Sequence, residues 1–204
     1  MADPAYIDPA TNVLTDGEAW VGIATTTLGS GTASVTFTST DDGQVGDFSQ
    51  YMDLVIVSYV RGDRGASETA ELFSMLFNGD TAAESQYTMQ RLQGNGASVS
   101  AATYTAGGDS TAGWQAYVPC DDDATANVFG AVVTHLFDVN SGKYKSWLSL
   151  GAADRDGAGL AQMYAGIYAK QAPISSIKLY GAYGSVMMTG SMFSLFGVLP
   201  RMVA

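Results

Sequence analysis

Apolar and polar positions alternate with a period of two along most of this chain, and no stretch keeps a 3.6-residue period beyond two or three turns. Strict alternation sends successive side chains to opposite faces, so the pattern predicts strands. Segment 32–38 is the simplest example. Ala33, Val35 and Phe37 share one face, while Thr32, Ser34, Thr36 and Thr38 share the other, which makes a strand with one wet side. Segment 51–61 is different. Tyr51, Val55, Val57 and Tyr59 point one way, Met52, Leu54, Ile56 and Val60 the other, and both sets are apolar. Such a strand has to be covered twice, once in the core and once beneath a loop, a helix or another subunit.

Further strands are predicted at 20–27, 71–77, 98–104, 113–118, 128–137, 143–150, 160–168, 174–180 and 191–198, and one short helix at 81–92. Turn formers separate them, among them Gly29-Ser30-Gly31, Asp41-Asp42-Gly43 and Asn78-Gly79-Asp80. About nine or ten strands at regular spacing predict an all-β fold, a jelly-roll-like antiparallel β-sandwich with at most one short helix. Residues 1–17, with Pro4 and Pro9, read as an extended N-terminal arm. Residues 18–204 read as a single domain, since no linker or repeat divides them.

Composition adds a reason to expect assembly. Only 14% of residues are charged, against about 25% in ordinary globular chains. A lone molecule with so few charges leaves apolar surface uncovered, and large exposed apolar patches mark interfaces. The expectation is a homo-oligomer, most simply a homotrimer. Its interface candidates are Tyr51, Val55, Val57 and Tyr59 on the doubly apolar strand, with Met187, Met188 and Met192, whose flexible thioethers fill irregular contacts. The net charge of −11 and the absence of any run of Lys and Arg argue against nucleic acid as a partner. No apolar run approaches the 18 residues of a spanning helix, so no membrane insertion is expected. The start of the chain lacks the basic and apolar regions of a signal peptide.

Candidate chemistry is sparse. His135 is the single histidine and lies on an apolar strand face with Phe129, Ala131, Val133 and Phe137, where a hydrogen-bonded core or interface role is the expectation. Cys120 is the single cysteine, so no intrachain disulfide can form. Asp41-Asp42, Asp121-Asp122-Asp123 and Asp154-x-Asp156 could each offer oxygens to calcium, but the last lacks the closing bidentate Glu of a calcium loop, Ala165 standing there. Aspartates favour turns for backbone reasons alone. Arg61-Gly62-Asp63 spells an adhesion tripeptide at a strand end, where Gly-Asp serves equally as a turn. Trp20, Trp114, Trp147 and the tyrosines could stack on sugars, yet aromatics favour strands in any case. The residues point to no catalytic, metal or cofactor site.

Certain segments in order carry a likeness. Tyr51-Met52-Asp53-Leu54-Val55-Ile56-Val57-Ser58 precedes an Arg-bearing turn; Leu76-Phe77-Asn78-Gly79-Asp80 precedes Gln86-Tyr87-x-x-Gln90-Arg91-Leu92. The chain closes with Ile174-Ser175-Ser176-Ile177-Lys178-Leu179 and Gly190-Ser191-x-Phe193-Ser194-Leu195-Phe196-Gly197-Val198. Over residues 50–198 this resembles small tailed-bacteriophage virion proteins, namely head-decoration (cement) proteins and C-terminal domains of tail-fibre proteins. It departs from their pattern at Met75-Leu76, where a basic residue is common, and at Phe196, where tyrosine is common. The resemblance implies a trimeric jelly roll without enzymatic activity or cofactor, made in the host cytoplasm and resident in the virion, where it cements a head by contact with the major capsid protein. The alternative it implies is a receptor-binding tip of a tail fibre or spike that recognises a host surface glycan.

Overall fold

The structure is a computed structural model that describes residues 20–64, 69–81, 86–105, 113–119, 124–155 and 157–199. The expected N-terminal arm (1–17), Cys120 and Asp121-Asp122-Asp123 lie outside them. Described strands are β1 (Trp20–Thr27), β2 (Ser34–Thr38), β3 (Asp53–Val60), β4 (Gly62–Asp63), β5 (Ala70–Phe77), β6 (Tyr87–Gly94) and β7 (Val99–Thr105). They continue with β8 (Gly113–Pro119), β9 (Gly130–Phe137), β10 (Lys145–Arg155), β11 (Ala158–Tyr168), β12 (Ser176–Gly181), β13 (Val186–Met187) and β14 (Met192–Val198). One 3₁₀ turn, Phe48–Gln50, is the only helical element among the described residues.

The fold is all-β, as expected, and every strand pairing is antiparallel. An eight-stranded sheet runs β1-β14-β3-β9-β10-β11-β6-β7, a four-stranded sheet runs β2-β12-β5-β8, and β13 pairs with β4 as a small ribbon. Half of the large sheet mirrors the small one. Replacing each of β1-β14-β3-β9 by a chain neighbour in the other sheet gives β2-β12-β5-β8. Two hairpins, β6–β7 and β10–β11, then widen the large sheet beyond β9, so that it is twice as wide as its cover.

The helix expected at 81–92 gives way to a strand in its described part, residues 82–85 lying outside the described residues. From Tyr87 onward this segment is β6, with Tyr87, Met89, Arg91 and Gln93 on the inner side and Thr88, Gln90 and Leu92 on the outer. Its inner side carries two polar residues, so the period-two signal was hidden. Residues 143–150 and 160–168 belong to a longer hairpin than expected, two strands of 11 residues each.

Large rings seated on glycines hold the inner faces together. Trp147 pairs across the ladder with Gly166, and a Cβ there would lie 2.2 Å from Trp147 Cζ2. Tyr51 covers Gly197 in the same manner, with 2.2 Å to its Cδ1, and its hydroxyl donates to Val45 C=O at 2.8 Å. Trp147 also meets Phe77 and Tyr87 edge-on, and Tyr87 stacks on Tyr168 at 4.9 Å between centroids. Some buried polar groups are paired between layers: Gln162 accepts from Tyr117 N at 2.8 Å and donates to Tyr117 C=O at 3.0 Å. Thr134 Oγ1 donates to Gln115 Oε1 at 2.7 Å. Gln162 thus gives the edge strand β8 the backbone partners that a neighbouring strand would supply.

A corner made by β5, β6, β11 and the approach to β12 brings distant motifs together. Asn78 and Gly79 take positive φ, 54° and 65°, as the turn after β5 requires. Asn78 Oδ1 accepts from Ser175 N at 2.8 Å and Ser176 N at 3.1 Å, and Asn78 Nδ2 donates to Pro173 C=O at 2.8 Å. Phe77 N donates to the Tyr87 hydroxyl at 2.9 Å, and the Tyr168 hydroxyl donates to Asp80 at 2.9 Å.

Gly166→Ala therefore overpacks the site under Trp147 and is expected to cost about 1–3 kcal/mol, which lowers the melting temperature by several degrees. Gly22→Ala, where nothing lies within 4 Å of the added carbon, is expected to cause no such loss. Calorimetry of both variants checks this. Equal melting temperatures would show that the ring is not held against the glycine.

Candidate assembly face

The feature of this molecule with the greatest capacity for interaction is a surface, the outer side of the eight-stranded sheet. Its alternate positions stand clear of the core, and one row crosses the whole sheet in register: Thr25, Ser194, Val57, Val133, Leu150, Met163, Leu92 and Ala101. Tyr59, Ile167 and Val99 extend the apolar area to either side, and Leu150 is 53% exposed. On strands β1, β14, β3, β9, β10, β11, β6 and β7, the outward positions carry two carboxylates, Asp53 and Asp154, one near each end. The remainder are apolar or uncharged, apart from His135. Eight strands at about 4.8 Å spacing and seven residues at about 3.3 Å rise cover roughly 800 Å², the area that each partner contributes to a standard stable interface.

The expected interface residues divide. Val57 and Tyr59 stand on this face, Tyr59 exposed. Met192 also lies there, half-buried on β14 opposite Tyr59. Val55 points outward as well but is fully buried within its own chain, 0% exposed, on a row with Phe196 and His135. Tyr51 does not share that side. It is 2% exposed and part of the core, because the strand begins only at Asp53 and the bend at Met52 breaks the alternation. Met187 is likewise a core residue at 1%, held in β13 against Gly62. Met188 is half-buried beside it. Val133, Leu150, Met163 and Leu92 were missed. The signal was present in β10, where Trp147 faces inward while Leu148 and Leu150 face out.

His135 shares a side of β9 with Ala131, Val133 and Phe137, and that side is the outer face. Its Nε2 is 2.8 Å from Asp53 Oδ2, its ring stacks on Phe137 at 4.1 Å between centroids, and Asp53 Oδ1 accepts from Asp138 N. Asp42 accepts from Thr40 Oγ1 and Gln44 N, and Asp154 from Gly157 N, so these acids serve their turns. Among the described residues no group of three His, Cys, Asp or Glu could hold a metal ion. Arg61 of the adhesion tripeptide is 2% exposed and donates to the carbonyls of Ala124, Thr125 and Val128. Gly62 and Asp63 form β4, so the tripeptide is built into the fold rather than displayed. Of the tryptophans, Trp20 is exposed beside Phe196, Trp114 packs on Tyr104 and Trp147 is buried.

Among the described residues Glu71 is the carboxyl most removed from water, 1% exposed, with Oε1 accepting from Tyr183 N at 3.4 Å. Burial pushes it above its ordinary value of 4.5 despite the Ser185 hydroxyl, the Tyr183 amide and the charge of Arg64. Comparison with protein-family models, with curated proteins and with solved structures found no match for this chain.

A carboxyl raised on folding binds more protons folded than unfolded between its two pKa values. Its contribution is complete below about pH 4.5 and is lost as pH rises through the folded value. Glu71→Gln is expected to remove that loss, so the difference in melting temperature between variant and parent grows in the variant's favour from acid to neutral pH. Parallel profiles would contradict a raised Glu71.

Proposed function

We propose that this chain is a non-enzymatic structural protein of a tailed-phage particle that assembles with sister copies through the outer side of its eight-stranded sheet. The observation that carries the reading is the uncharged row crossing all eight strands, apolar from Val57 on β3 to Ala101 on β7. A protein of net charge −11 repels its own copies almost everywhere. On this side two copies can approach without facing carboxylate against carboxylate, and its extent suits a stable contact. A second copy is therefore the occupant that the charge distribution favours.

The strand order supports a jelly-roll reading of the sandwich. Orders β1-β14-β3-β9 and β2-β12-β5-β8 follow from winding one long antiparallel ribbon over itself, which yields two Greek keys in two sheets. The virion reading draws support from the corner at Asn78. The Phe77-Asn78-Gly79-Asp80 turn, Tyr87 and the Ser175-Ser176 step, which carry the likeness to virion proteins, are hydrogen-bonded to one another or through shared neighbours there. A trimer that cements the head by contact with the major capsid protein is the arrangement that this reading favours, placing the protein in the virion.

The purified protein is expected to run in size exclusion with light scattering at a multiple of 21.3 kDa, three copies in the proposed arrangement. Leu150→Glu with Met163→Glu puts charges at the centre of the row and should weaken association by at least about tenfold with little change in melting temperature. A parent protein that stays monomeric at about 10 μM, a concentration at which interfaces of this size normally hold, would sink the assembly reading. Labelled antibody on purified virions checks the location.

A further inference from the structure

The nine basic residues of this acidic chain are not evenly spread. Arg64, Arg91 and Arg155 line one pocket of about 300 Å³, together with Thr69, Gln93 and Tyr117. The pocket lies where the inner side of β6 and the end of β10 face the edge strand β8. Among the described residues, none of those lining it is acidic. Two observations bear on Arg91 and Arg155, whose charge is held in place. Nε of both Arg91 and Arg155 is buried without an acceptor. The Arg91 guanidinium is flanked by the rings of Tyr104 and Tyr117, at 5.3 and 5.8 Å from their centroids, which fix it without neutralising it. Arg64 has neighbours of its own: it sits over the Tyr183 ring at 3.9 Å, and its charge acts on Glu71.

We propose that this pocket binds an oxyanion, the carboxylate or phosphate group of a small acidic ligand such as an acidic sugar. Guanidinium groups converging in a partly desolvated space repel one another, and each is a planar fork that matches the paired oxygens of carboxylate or phosphate. An anion relieves the repulsion and supplies an acceptor for the Nε groups of Arg91 and Arg155. The volume sits at the lower end for small-molecule sites, about 300 Å³, which suits a single sugar ring or a phosphate and not an extended chain. Tyr117 at the rim offers an aromatic side for such a ring, and Thr69 and Gln93 offer polar contacts for its hydroxyls. This inference goes beyond the assembly role, because the pocket opens on the side of β6 away from the proposed contact between copies.

The test is calorimetric titration of the whole protein with inorganic phosphate, with glucuronic acid and with glucose. Phosphate and glucuronate are expected to bind saturably, more weakly as salt rises, and glucose not to bind. Tighter glucuronate than phosphate assigns the site to an acidic sugar; equal affinities assign it to the bare oxyanion. Arg155→Gln and Arg91→Gln are each expected to weaken binding about ten- to hundredfold. Arg91→Lys, which keeps the charge and loses the fork, falls between, and Lys178→Gln leaves affinity unchanged. Arg155→Gln tests the site even if the Arg91 variants fold poorly. No saturable binding of either anion at up to about 10 mM, an affinity below that of ordinary sites, overturns the proposal. So does binding that survives both glutamine variants or that glucose reproduces.

Discussion

Successive side chains of an extended strand point to opposite faces, so a strand that is apolar at every position needs a cover on each side. That constraint governs this molecule. Strand β3 puts Leu54 and Ile56 into the core and Val55, Val57 and Tyr59 on the other side. The chain supplies one cover, the four-stranded sheet, against one side of a sheet twice as wide. Inward groups meet that cover directly, as Trp147, seated over Gly166, does at Phe77 and Gln162 does on the backbone of Tyr117. The outward groups find partners only at the β3 end, where Val55 disappears among larger neighbours. From β9 to β7 they stand open.

The added hairpins turn this imbalance into a surface. Without β6–β7 and β10–β11, the two sheets would match strand for strand and the outer side would be four strands wide. The insertions carry Leu148, Leu150, Met163, Ile167 and Leu92 outward, whereas a monomer's exposed strands usually present polar groups there. They also leave β7 as an edge, with exposed Val99, Ala101 and Thr103. Apart from Asp53, Asp154 and His135, the polar residues on this side are neutral, mostly Ser and Thr. The low charge content of the sequence is thus concentrated in one place on the molecule.

Much of the fold could be read in the sequence because alternation is a local property. The wet face of segment 32–38, the double character of segment 51–61 and the last strand pair needed no knowledge of partners. What failed depended on distance. Tyr51 was assigned by parity to the face of Val55, but the bend at Met52 turned it inward onto Gly197, a residue far along the chain. Met187 became core through a two-residue strand too short to show a period. Segment 81–92 reads as a short helix because Arg91 occupies an inner position of β6, where an apolar residue would mark a strand. Arg64, Arg91 and Arg155 belong to three separate segments, so no run of basic residues announced the pocket that they share.

The same alternation separates the two surfaces proposed for binding. Arg91 points inward to the pocket and Leu92 outward to the apolar row; Leu160 and Ala161 repeat the division on β11, and Arg155 and Asp154 on β10. A ladder one peptide thick therefore carries fixed positive charge on one side and uncharged apolar surface on the other. A copy docked on the outer side leaves the pocket open, and an anion in the pocket leaves the outer side uncharged. Neutralising Arg91 and Arg155 would also lower the self-repulsion cost of β6 and the end of β10, the overhanging elements with the thinnest cover. Ligand and assembly would then stabilise the same part of the sheet from opposite sides without competing for a single side chain.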